Sequence, residues 1–138
     1  MSPNIETPIL TESIVLCRND YFRLTDALDG KSGQMPAKVL DYLLDTLDRA
    51  RVLDPDLIPD CIVRLGSTVT VLDREAASER QITLVWPGEE QYPQRISVLT
   101  ALGAALLGTT EGDAVTYNTP DGRLRHLSVL AVKKPNTT

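Results

Sequence analysis

The chain has 138 residues but only one histidine, two cysteines, one tryptophan and one phenylalanine. Each scarcity excludes something. One histidine and no Cys-x-x-Cys leave no ligand set for a structural zinc. Aromatic residues make up 4% of the chain, too few for a ligand pocket with several aromatic walls. No apolar run approaches the roughly 18 residues that span a membrane. The opening MSPNIETPIL lacks the basic start and sustained apolar run of a signal peptide, so the expected location is cytoplasmic. There is no Gly-x-x-x-x-Gly-Lys phosphate loop. A basic surplus is also missing: 14 Lys and Arg stand against 19 Asp and Glu, a net charge of -5. Phosphate contacts need the opposite balance, so direct sequence-specific nucleic-acid binding is not expected. The acidity is uneven. Residues 1–58 carry six basic against ten acidic side chains, and residues 59–138 carry eight against nine. Such a chain fits a protein partner better.

What remains is ordinary for a globular domain, with 42% hydrophobic and 24% charged residues. The length suits one domain, or a domain of about 80 residues with a small appendage. Cys17 and Cys61 lie in apolar runs, IVLC and CIVRL. Both are expected to be reduced, acting as small buried hydrophobes.

Residues 1–12 read as a loosely anchored tail and Ser13–Cys17 as a short strand. NDYFRLTDALDG follows as a helix, with Asn19 or Asp20 as its cap and Gly30 at its end. Tyr21, Leu24 and Leu28 share one face. KSGQMP is a turn, and Pro36 opens a second helix. Its pattern extends through PAKVLDYLLDTLDRARVL. Leu40, Leu43, Leu47 and Ala50 form a heptad-like seam, while Asp41, Asp45 and Asp48 form an acidic stripe. Together the two pieces predict a short antiparallel helical hairpin, coiled-coil-like, whose helices need packing to persist. LDPDLIPD reads as a boundary.

Beyond it the period changes to that of strands. In CIVRLGSTVTVLD, Val69 and Val71 share one face while Thr68 and Thr70 share the other. RQITLVWPG and RISVL are further strands, and TYNTPDGRLRHLSVLAV is a hairpin turned by Pro-Asp-Gly. ALGAALLG between them predicts a helix of about two turns, capped by Thr100 and ended by Gly108. The expected fold class is α+β: a short N-terminal helical hairpin over 1–58, then a twisted antiparallel sheet with one short helix over 59–138.

SVLTALGAALLGTTEGDAVTYNTPDG, followed by LSVLAV, resembles the C-terminal domain of the GreA/GreB transcription elongation factors. That family carries Ser-Pro-x-Gly-x-Ala-Leu-Leu-Gly, then Gly-Asp, then a glycine-containing hairpin. LDRARVLDPDLIPDCIV and RISVLTALGAALLG are similar to the regulators of nucleoside diphosphate kinase (the Rnk type) of the same superfamily. The resemblance covers the chain from about Ser13. Here Thr100 and Ala101 stand where the family has Ser-Pro.

The resemblance implies an FKBP-like C-terminal domain that docks on the rim of the RNA polymerase secondary channel, with the hairpin pointing inward. In the cleavage factors, acidic residues at a long hairpin's tip help hold a catalytic Mg²⁺. The tip here, DGKSGQMP, offers Asp29 beside Lys31 on a hairpin less than half as long. The reading is therefore an RNA polymerase-binding regulator, not an enzyme, without transcript cleavage, cofactor or metal. The residues expected to meet polymerase are Thr100, Ala101, Leu102 and Gly103, with Arg95, Arg123 and Arg125 as candidate polar contacts. The alternatives are a small FKBP-like domain binding a ligand or peptide, with Trp86 in its pocket, and a direct regulator of nucleoside diphosphate kinase. His126 lacks a nucleophile with a motif around it, since Cys61 and Ser128 offer none. The oligomeric state stays open, because the leucine seam is equally able to meet a second copy.

Overall fold

The structure, a computed structural model, describes residues 14–31, 35–119 and 121–135. The expected tail, Ser13 of the first strand, Ser32 to Gln34 of the first turn and Pro120 of the hairpin turn lie outside the described residues. The chain opens with β1 (Ile14–Cys17), α1 (Arg18–Lys31), α2 (Ala37–Arg49) and β2 (Ala50–Leu53). After a 3-10 turn at Pro55–Leu57 come β3 (Thr68–Asp73), β4 (Ser78–Val85) and β5 (Arg95–Ser97). The short helix α3 (Ala101–Leu106) precedes the hairpin of β6 (Ala114–Asn118) and β7 (Leu124–Lys133).

Five strands form one sheet in the order β5-β4-β3-β7-β6, and β1 pairs with β2 in a separate two-stranded sheet. The fold is mixed α+β. Strands β4, β3, β7 and β6 are antiparallel as expected. The edge strand β5 instead joins β4 in parallel, because the connection from Trp86 to Gln94 carries the chain back to the start of its neighbour.

The second helix is shorter than its sequence pattern. It ends at Arg49, and Ala50–Leu53 runs parallel to β1 with Ala50 opposite Ile14. The residues Ala-Arg-Val-Leu suit either state, and backbone pairing with β1 decides for the strand. Two local expectations at α1 also change. The helix starts at Arg18, so Asn19 and Asp20 lie inside it, and it continues through Gly30 to Lys31. The Asp20 carboxylate accepts from the Leu65 N–H at 3.2 Å instead of capping its own helix.

Among the described residues, the larger of two hydrophobic clusters joins the two halves of the chain. Leu16, Leu24, Leu28, Val39 and Leu43 pack in the same core as Val69, Ile82, Leu84, Leu106 and Val129. On α2 the fully covered positions are Val39, Leu43 and Thr46, with Leu40 and Leu47 half-buried beside them. The apolar seam thus faces the sheet domain, and Asp41, Asp45 and Asp48 are exposed on the far side. Burying such side chains contributes roughly 1.5–3 kcal/mol each, which holds two helices too short to persist alone. Cys17 is buried; Cys61 is half-buried.

Candidate functional site

The turn into α3 is built by hydroxyl groups. Thr100 is extended, with φ -113° and ψ 163°, and its side chain accepts from the Gly103 N–H. That bond is 3.1 Å long, and the same hydroxyl donates to the Ser97 carbonyl at 2.7 Å. The Ser97 hydroxyl accepts from the Leu99 N–H at 3.0 Å. Thr100 therefore caps α3, as its position before an apolar helical run predicts.

Two glycines fix where this helix lies. A Cβ on Gly103 would overlap the carbonyl of Ser97, so only glycine lets α3 rest on the end of β5. Gly108 takes a positive φ of 83°, which ends the helix without steric penalty. A Cβ there would also run into the Ile14 side chain.

Thr100, Ala101 and Leu102 line a hollow of about 660 Å³. Its other lining includes Ile96, Tyr117, Asn118 and Thr119, with Pro36 and Lys38 at the start of α2. The Asn118 side-chain amide donates to the Tyr42 hydroxyl at 3.1 Å and so ties β6 to α2. The hollow is mostly apolar, with a lysine at one margin. Of the four residues singled out from the sequence, three border this groove. Gly103 is buried beneath it and sets the helix position. The contributions of α2 and β6 were not anticipated, because no spacing in the chain announces that Pro36 and Tyr117 converge.

The three arginines separate. Arg125 donates to Asp73 at 2.6 Å, beneath the turn between β3 and β4. The Asp73 carboxylate also accepts from the backbone N–H groups of Glu75 and Ala76 at 3.1 Å each. Donation from Ala76 and then Arg125 holds the Asp73 carboxyl below its ordinary range. Arg125 is thus committed within the fold. Arg123 is exposed and lies 3.8 Å from Asp121. Arg95 opens onto a different cavity, with Thr68, Thr83 and Lys133.

His126 Nδ1 is 2.6 Å from a Glu75 carboxylate oxygen. That pairing lowers the Glu75 carboxyl, first through the His126 backbone N–H and then through the ring. Among the described residues no serine or cysteine hydrogen-bonds to the ring. Trp86 is half-buried at the end of β4, under the Arg23 guanidinium, and does not border the groove. Among the described residues no group of three His, Cys, Asp or Glu side chains is arranged to hold a metal ion, and no helix is long and apolar enough to cross a membrane.

A family model described as "Transcription elongation factor, GreA/GreB, C-term" matches residues 58–134. Transcription elongation factor GreA of Nitratidesulfovibrio vulgaris (strain DP4) is 30% identical over 109 residues, covering 78% of this chain and 66% of that protein. The regulator of nucleoside diphosphate kinase of Escherichia coli (strain K12) is 33% identical over 96 residues, covering 69% of this chain and 71% of that protein. A solved structure titled prokaryotic transcription elongation factor GreA/GreB from Nitrosomonas europaea superposes with a TM-score of 0.72 at 33% identity, covering 87% of this chain and 98% of that one. The matched region spans just under two thirds of the Nitratidesulfovibrio vulgaris relative. With more than half of its length matched by the family model, the chain belongs to the GreA/GreB family of transcription elongation factors.

Proposed function

We propose that this protein is an RNA polymerase-binding transcription regulator of the Rnk type, acting at the rim of the polymerase secondary channel without stimulating transcript cleavage. The observation that carries the reading is the apolar groove bordered by Thr100, Ala101 and Leu102, three residues inside the region the family model matches. An exposed apolar hollow with a polar margin is the ordinary form of a protein-docking surface. Residues 59–138 are the docking unit in this reading, FKBP-like in form, and residues 1–58 the helical appendage. The location that follows is the cytoplasm, where polymerase works.

The absence of cleavage activity rests on reach and charge. The helices have 14 and 13 residues, about 20 Å each at 1.5 Å per residue. Their apolar faces are spent on the core of the sheet domain. The segment from Asp29 to Pro36 holds a single carboxylate with Lys31 beside it. A Mg²⁺ ion needs several oxygen ligands. In this reading the protein is no enzyme and carries no metal of its own.

Capture of purified core RNA polymerase, in competition with a Gre-type cleavage factor, tests the proposal. The expected result is binding that the cleavage factor displaces, that Leu102→Asp abolishes, and that leaves cleavage of stalled transcripts unstimulated. Binding insensitive both to the competitor and to Leu102→Asp would move the contact elsewhere on the protein.

A further inference from the structure

The outer face of the five-stranded sheet carries a polar row that the docking groove does not use. Arg95 on β5 is opposite Thr83 on β4, Thr83 is opposite Thr68 on β3, and Thr68 is opposite Lys133 on β7. Directly opposed residues project from the same face. The row therefore crosses four strands without a break, roughly 14 Å at about 4.8 Å per strand. All four residues line one cavity of about 800 Å³, together with Lys134, Glu89 and the apolar Val85 and Pro135.

The donors in this cavity are largely uncommitted. The Thr68 and Thr83 hydroxyls are 3.0 Å apart. One donates to the other, so the pair keeps one O–H to offer. Arg95 Nη1 donates to the Gln91 side-chain oxygen at 3.2 Å and to the Glu89 carbonyl at 3.5 Å. Those bonds hold the guanidinium in place and leave its remaining N–H groups open. Among the described residues, no carboxylate lies within ion-pair distance of Arg95, Lys133 or Lys134. Among the described residues Glu89 is the only acidic one in the lining, and one of its carboxylate oxygens accepts from the Trp86 N–H at 3.3 Å. Three cations against one carboxylate leave a surplus of two positive charges, in a chain whose net charge is -5.

We propose that this cavity binds a diphosphate group. A guanidinium fork, two ammonium groups and a hydroxyl match the non-bridging oxygens of phosphoryl groups. Arg95 and Lys133 stand at opposite ends of the row with the threonine pair between them, so their long side chains can close over the threonines from both sides, one to each of two linked phosphoryl groups. Val85 and Pro135 leave an apolar wall for an organic substituent. The site is independent of the polymerase-docking groove and of the function proposed for it.

Titration of the isotopically labelled full chain with inorganic pyrophosphate, followed by NMR of the backbone amides, tests the assignment. Saturable shifts centred on Thr68, Thr83 and Lys133 are expected, with orthophosphate binding more weakly. Both lysines are exposed, so the double variant Lys133→Gln with Lys134→Gln keeps the fold. It is expected to bind pyrophosphate about tenfold more weakly, the effect of losing charge-assisted hydrogen bonds. Lys38→Gln, at the other groove, is expected to bind it unchanged. A parallel titration with a nucleoside diphosphate separates the sources. Tighter binding than pyrophosphate assigns the organic part to the Val85 and Pro135 wall; equal binding assigns the diphosphate alone. Shifts that do not saturate, shifts scattered over the surface, or equal affinity in the double variant would overturn the proposal.

Discussion

The guanidinium of Arg23 lies 4.1 Å from the centre of the Trp86 ring. It joins the first helix to the end of β4, and one turn earlier Asp20 joins that helix to the backbone at Leu65. Two polar contacts thus supplement the apolar face, Leu24 and Leu28, that holds α1 on the sheet domain. A cation over an aromatic face at an exposed site contributes about 0.5–1 kcal/mol. Arg23→Ala is expected to lower stability in urea by about that amount. Trp86 is the only tryptophan, so its emission reports the same contact and is expected to shift to the red. An unchanged spectrum would show that the guanidinium does not cover the ring in solution.

Gly103 and Gly30 are expected to respond oppositely to the same substitution. A Cβ on Gly103 meets the Ser97 carbonyl, while one on Gly30 meets nothing within 4 Å among the described residues. Forcing atoms into a filled site typically costs 1–3 kcal/mol, so Gly103→Ala is expected to lose about 2 kcal/mol or more. Gly30 lies inside α1 with helical geometry, where alanine is favoured by up to about 1 kcal/mol. Urea unfolding of the two variants checks the pair. Equal effects would mean that α3 does not rest on the end of β5.

These two glycines also show what was legible in the chain. The capped helix at Thr100, its end at Gly108 and the alternation of Val69 and Val71 against Thr68 and Thr70 are local signals, and the structure carries them. The strand at Ala50–Leu53 was not legible. Its partner lies more than thirty residues earlier, and the segment continues a helical pattern up to the point of pairing. Gly30 was legible to within one residue, since it reads as the helix end and the helix closes at Lys31. The groove was half legible. The motif marks Thr100 to Leu102, but the wall from Pro36 and Tyr117 exists only once α2 and β6 pack around α3.

Two carboxylates give opposite pH dependences. Asp73 is held below its ordinary 3.8 by the Ala76 N–H and Arg125. Its contribution is fully present above 3.8 and is lost as the pH falls through the lowered value. Burial raises Asp20 above 3.8, against the Leu65 N–H, Arg64 and Arg23. Its ionisation therefore costs stability, and that cost appears as the pH rises from 3.8 through the raised value. Asp73→Asn is expected to destabilise at neutral pH, with an effect that shrinks in acid. Asp20→Asn retains an oxygen to accept from Leu65 and is expected to be neutral or stabilising at neutral pH, with no gain in acid. Thermal melts of both variants across the acid range read the signs, and two curves of the same sign would contradict the assignment.

Ala101 occupies the place where the family's motif carries proline, and the backbone here is ready to receive one. Thr100 at φ -113° and ψ 163° has the extended geometry required of a residue before proline. Ala101 is the first residue of α3, where φ suits a pyrrolidine ring and the N–H has no intrahelical partner. Ala101→Pro is therefore expected to fold normally and to gain about 0.4–1 kcal/mol, chiefly by restricting the unfolded chain. The added ring stands at the lip of the groove and extends its apolar surface. If the groove meets polymerase, the variant is expected to bind at least as tightly as the parent in the competition with a Gre-type factor. A stable variant that binds less well would mean that the partner's surface is shaped to alanine. The docking geometry at this position would then differ from that of the proline-containing members of the family.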